Sequence, residues 1–169
     1  MANLLFAAGA ETTTNLIGNG LNALFEHRDQ LARLWAEPDL VPTAVDEMLR
    51  YDSPVQLDGR LCLESAEVFG VQFEPGDRIL TLLGAANRDP DVFPDPDRFD
   101  VARNGEPVMS FASGIHYCLG ANLARVEGQE VFAGLIRRFE RIEPAGERTY
   151  RKRHVLRGLH TCPVTVTTR

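Results

Sequence analysis

The 169-residue sequence predicts a mainly α fold with small β-sheets, an α+β class, and three observations carry that prediction. Residues 3–35, residues 41–50 and the stretch that follows Gly120 repeat apolar side chains at helical spacing. Between them, VQLDGRLCL and EVFGVQFEPGDRILTLLGAANRD hold short β-type runs parted by Gly, Pro and Asp, with Glu74-Pro75-Gly76-Asp77 the clearest turn. The tail, VLRGLHTCPVTVTT, reads as strand, turn and strand.

Composition narrows the function classes. At this length a chain buries roughly 70% of its unfolded surface, so residues 1–169 are long enough to fold as one unit. A hydrophobic content of 44% beside 25% charged residues is that of a soluble globular protein. A net charge of −6 gives no support to a nucleic-acid or anionic-membrane partner. Cys62, Cys118 and Cys162 are far apart and odd in number, which favours a reducing cytoplasm over a disulfide framework or a zinc knuckle. The opening MANLLFAAGA is too short to span a bilayer, and no basic residue precedes it as in a signal peptide.

Taken in order, the first helical stretch is expected to break near Gly9 and again at residues 27–29. Its small residues Ala7, Ala8, Gly9 and Ala10 leave room for a large group to lie against the helix, and Glu11, Thr12 and Thr13 set a carboxylate and hydroxyls beside that room. A Thr hydroxyl in mid-helix can bond a preceding carbonyl and loosen the ladder. On residue types alone, a helix-packing site with Glu11 in solvent explains the same string. In residues 41–50, Ala44, Val45, Met48 and Leu49 form an apolar face and Pro54 confines the end. Glu47 and Arg50, at i and i+3, share a face and can pair, for only ~0.2–0.5 kcal/mol if exposed.

Residues 87–100, NRDPDVFPDPDRFD, suit an ordered irregular loop anchored by Phe93 and Phe99. The helix after Gly120 sets Leu123, Phe132, Leu135, Ile136 and Phe139 toward the core and Arg125, Arg137 and Arg138 mostly outward. Cys162 reads as a small core residue.

The chain is organised around residues 111–120, FASGIHYCLG. Cys118 lies between Gly114 and Gly120 and directly before a helix. A free cysteine, with a pKa near ~8.5, is mostly protonated at neutral pH, and positive potential favours its thiolate. A helix N-terminus supplies such potential through its unpaired N–H groups. The glycines let the backbone bend and a flat, bulky ligand approach. Taken alone, Cys118 can equally be a buried cysteine beside a helix start.

The full string resembles the haem-binding loop of the cytochrome P450 family, whose pattern is Phe, Gly, any, Gly, any, His or Arg, any, Cys, any, Gly. Phe111, Gly114, His116, Cys118 and Gly120 match in register, and Ala112 stands where the family usually has its first glycine. Two further strings match in the family's order. AAGAETT resembles the oxygen-binding segment of the helix that passes over the haem, with Gly9 beside the oxygen site and Glu11 and Thr12 as the acid–alcohol pair. EMLR resembles the Glu-x-x-Arg helix, and the resemblance gives Glu47 and Arg50 a buried partner in Arg98. Arg60, on the first strand, matches a haem-propionate partner and His116 a second.

The resemblance implies the C-terminal part of the cytochrome P450 fold, from the oxygen-binding helix onward, with the N-terminal part of the family's domain absent. It implies haem b, with Cys118 as the axial iron ligand, and monooxygenation of a small organic substrate. Electrons then come from a ferredoxin-type partner with its NAD(P)H-dependent reductase. Two other readings remain at this point: a non-catalytic haem-binding or partner-binding remnant, and a structural α/β interaction domain without haem, which leaves the ordered motifs unexplained.

Overall fold

The structure, a computed structural model, describes residues 2–105 and 107–169. Helix α1 (Ala2–Glu26) runs unbroken through Gly9, because one glycine costs a helix only about 1 kcal/mol. The expected break there does not occur. The second one does: His27 leaves helical geometry at φ −117° and ψ 76°, and α2 (Arg28–Ala36) begins after it. Helix α3 (Val41–Tyr51) follows, with a proline in its first turn, where the missing N–H costs nothing.

Next come β1 (Asp58–Leu61), β2 (Ala66–Val68), β3 (Val71–Phe73) and β4 (Arg78–Thr81). Strand β1 pairs with β4, and β2 with β3, both antiparallel. A single turn, α4 (Leu83–Ala86), leads into the irregular loop, in which Phe93 and Phe99 are buried as expected. Helix α5 (Ala121–Arg138) runs into β5 (Phe139–Pro144), followed by β6 (Thr149–Tyr150), β7 (Leu159–Thr161) and β8 (Val164–Thr168). The last two strands do not pair with each other: β7 joins β6 and β8 joins β5.

The core lies where α1, α3 and α5 meet, around Leu16, Val45, Met48, Phe132 and Ile136. A Cβ on Gly20 of α1 would stand 2.5 Å from the Met48 sulfur and 3.0 Å from the Phe132 ring, so the absence of a side chain there sets how closely the helices approach. Leu123, expected in this core, is instead 62% exposed. Helical spacing puts it on an apolar strip with Val126, which is also exposed. Cys162 is only half-buried, its thiol pKa raised by burial.

Candidate functional site

The rigid half of the site is the buried end of α3. Arg50 donates from Nε and Nη2 to the two oxygens of Glu47 at 2.6 and 2.9 Å, and both residues are at most 2% exposed. The rest of the Arg50 guanidinium is spent on the carbonyls of Asn87, Pro96 and Arg98, at 2.8 to 3.0 Å. A buried charge pair is tolerable only when its remaining donors are satisfied like this.

The third member of the cluster is Arg103, whose Nε lies 3.1 Å from Glu47. Arg98, expected in that place, contributes its backbone carbonyl alone; its guanidinium is exposed and lies 3.5 Å from Asp100. Burial of the neighbouring Phe99 ring holds the loop so that the Arg98 side chain leaves the protein while Arg103 reaches back. The Asp100 amide completes the shell around Glu47 at 2.9 Å.

A second buried set, which the sequence reading did not single out, carries this order to the cysteine. Asn87 donates to the hydroxyls of Ser53 and Ser110 at 2.8 Å and accepts the Met109 amide at 2.6 Å. Ser110 in turn donates to the Leu49 carbonyl at 2.7 Å. Residues 109–110 are thereby tied to the end of α3. Lone polar residues inside apolar runs, Asn87 after AA and Ser110 between Met109 and Phe111, are the signal that could have found them.

Phe111 is buried, and the chain then turns out to solvent. Ala112 takes φ 55° and Gly114 φ 62°. Gly114–His116 forms one 3-10 turn, and the Cys118 amide returns to the Phe111 carbonyl at 3.0 Å. The Cys118 carbonyl accepts the Ala121 amide at 3.3 Å, so the thiol sits two residues before the Gly120 cap of α5. Cys118 and His116 are exposed, as are Ile115 at 98% and Leu119 at 92%.

Arg125 of α5 clamps both ends of this loop. It lies 4.5 Å over the Phe111 ring, reaches the Tyr117 hydroxyl at 3.4 Å and is fixed to Asp46 of α3 at 2.7 Å. Burial opposes its charge, but the Tyr117 hydroxyl and the Asp46 carboxylate more than offset this and raise its pKa. It is not the outward-facing residue that helical periodicity suggested.

On α1, Thr12 donates to the Ala8 carbonyl at 2.6 Å, the mid-helix bond anticipated for a threonine. Thr13 donates to Glu127 of α5 at 2.9 Å and so fixes this part of α1 against α5. Glu11 is not free in solvent: Arg153 and Arg151, from the segment after β6, reach it at 2.6 and 3.4 Å. Arg60 bonds Asp58 beside it on β1, at 2.8 Å. The side chain of Ala7 lies outside the described residues; Ala8, Gly9 and Ala10 are exposed.

These residues fit a haem. A Cβ on Gly9, Gly114 or Gly120 would meet nothing within 4 Å, so the backbone at all three positions faces open space. Apolar side chains stand uncovered on both parts, Leu5 and Phe6 on α1 and Ile115 and Leu119 beside the thiol. Among the described residues no group of three or more His, Cys, Asp or Glu could hold a metal ion. A polar cavity of about 340 Å³, lined in part by Asn22, Glu26, Asp52, Tyr150 and Arg157, has no lining residue from the cysteine loop.

An exposed cysteine is thus presented from a pinned loop at a helix start, beside open apolar surface. The sequence matches the cytochrome P450 family over residues 2–154. A putative cytochrome P450 140 of Mycobacterium tuberculosis is 46% identical over 167 residues, 98% of this chain and 38% of that protein. The biotin biosynthesis cytochrome P450 of Bacillus subtilis is 45% identical over 163 residues, 96% of this chain and 41% of that protein. The crystal structure of P450BioI in complex with a fatty-acid-ligated acyl carrier protein superposes with a TM-score of 0.92 at 45% identity, over 96% of this chain and 43% of that one. The chain belongs to the cytochrome P450 family, has its fold, and spans about two fifths of the length of the relatives it matches.

Proposed function

We propose that this chain is the haem-binding part of a bacterial-type cytochrome P450 monooxygenase. The observation that carries the reading is the exposed Cys118 held before α5, its amide fixed on the Phe111 carbonyl at 3.0 Å. Cys118 Sγ ligates the iron of haem b, and Phe111, Gly114 and Gly120 shape the loop that offers it. Arg60 and His116 donate to the propionates, for which Arg60 gives up its bond to Asp58. Gly9 lets the ring lie close to α1.

Bound haem supplies the chemistry that activates dioxygen, placing one oxygen atom in a small organic substrate and the other in water, with electrons taken singly from a ferredoxin-type partner and its NAD(P)H-dependent reductase. The chain's own contribution on the distal side is proton handling. The Thr12 hydroxyl donates to Ala8 and keeps its lone pairs to accept a bond from an incoming donor. Glu11 feeds that hydroxyl when it leaves Arg153, whose side chain is mostly in solvent. Glu47, Arg50 and Arg103 have the structural task of holding the proximal loops. Among the described residues no helix is long and apolar enough to cross a membrane.

Haem titration of the chain, followed by turnover with a surrogate redox pair, tests the reading. Stoichiometric uptake that weakens in Arg60→Ala and His116→Ala is expected, and the absence of uptake would contradict it. The exposure of Phe6, Ile115 and Leu119 favours one second reading, a haem-binding piece without turnover. Uptake with no product from any substrate would select it.

A further inference from the structure

The cysteine loop contains a backbone conformation that does not suit the residue holding it. Ala112 lies at φ 55° and ψ −158°, a region that glycine enters freely and that a Cβ makes costly. It has no room to relax into an ordinary one. On one side Phe111 is buried and the Ala112 amide is tied to the Met109 carbonyl at 2.8 Å. On the other, Ser113 is already fully extended at φ −152° and ψ 174°. The turn at Ala112 takes the chain away from the Phe111 carbonyl, and six residues later Cys118 returns its amide to that same carbonyl at 3.0 Å. The twist at Ala112 lies inside the ring of residues that this hydrogen bond closes.

We propose that Ala112 is a positioning residue for Cys118 and that it holds the loop under strain. Its methyl group opposes the turn that makes the Phe111–Cys118 hydrogen bond, so this loop opens more often than the same loop with glycine at 112. Of the other non-glycine residues at positive φ, Asp95 is of a type that tolerates that region, and Phe69 lies at the exposed tip of the β2–β3 hairpin. Among the described residues, Ala112 alone places the cost beside the cysteine.

The loop strain stands on the haem-free chain; only its consequence for ligation rests on the function proposed above. Amide hydrogen exchange on the haem-free, full 169-residue chain reads the opening at Cys118 directly. Ala112→Gly is expected to raise protection of the Cys118 amide by about threefold to thirtyfold, the relief of strain less the added freedom of the unfolded glycine. Ser113→Gly adds the same freedom at an extended, unstrained position and is expected to lower that protection. Ala112→Val, bulkier and β-branched, is expected to lower it further. Unchanged or reduced protection in Ala112→Gly would overturn the proposal.

Haem reconstitution gives a second, separate readout. With strain relieved, Ala112→Gly is expected to show a larger thiolate-ligated fraction in the spectrum of the reduced carbonyl form. Failure of every variant to take up haem would count against the site's function, while the exchange ratio still decides the strain.

Discussion

The buried end of α3 and the cysteine loop after residue 110 are far apart in sequence and linked by a few buried polar side chains, yet they are built on opposite terms. At Glu47 and Arg50 every polar group has a partner and water is excluded; at Ile115 and Leu119 large apolar side chains face solvent almost completely. The first region is complete within this chain. The second has its backbone bonds made and its side-chain contacts missing, as for a surface shaped to be covered by something else. Asn87, with Ser53 and Ser110, is the joint that lets one region position the other.

If this division is right, the largest effect comes from breaking the closed region. Glu47→Gln leaves the buried Arg50 and the half-buried Arg103 without their counter-charge and is expected to cost about 3–5 kcal/mol, a large share of a domain's stability. Urea denaturation of the haem-free chain measures it. Cutting the joint comes next: Asn87→Ala strips partners from Ser53, Ser110 and the Met109 amide, for an expected loss of roughly 1–3 kcal/mol. Hydrogen exchange at Met109 and Cys118 should rise together in that variant.

Tyr150 probes a different pair of neighbours. It donates to Asp52 at 2.8 Å and accepts from Asn22 at 3.2 Å, so Tyr150→Phe should cost about 1 kcal/mol in thermal or chemical unfolding. Burial, and then the Asp52 carboxylate, push the phenol's pKa well above its ordinary 10.0. Because the folded chain keeps this proton after the unfolded chain has lost it, Tyr150 stabilises the fold fully below pH 10 and progressively less as pH rises from 10 toward the raised value. The alkaline loss of stability should therefore be shallower in Tyr150→Phe. The smallest effect sharpens the comparison from the other side. Arg98→Ala is expected to stay within about 0.5 kcal/mol, while Arg103→Ala, which takes a donor from the buried Glu47 carboxylate, costs clearly more. Equal losses would return Arg98 to the network.

What could be read from the sequence follows the range of the interaction involved. The Glu47–Arg50 pair and the Thr12–Ala8 bond lie within one helix, where spacing fixes geometry, and both are found as expected. The choice of Arg103 over Arg98 depends on how Phe99 packs in a loop without periodicity, so motif register alone points to the wrong side chain. Glu11 meets arginines about 140 residues away, a contact that no local pattern encodes. Leu123 shows the remaining gap: period identifies an apolar face but not whether this chain covers it. At Ala112, by contrast, the sequence marks the departure from glycine and the backbone gives its physical meaning.

The most direct measurement is the absorption spectrum of the haem-supplied chain, reduced and exposed to carbon monoxide, beside a Cys118→Ala control. A red-shifted Soret band of thiolate-ligated ferrous carbonyl haem, lost in the control, is the predicted result. Bound haem with the same spectrum in both proteins would contradict ligation by Cys118.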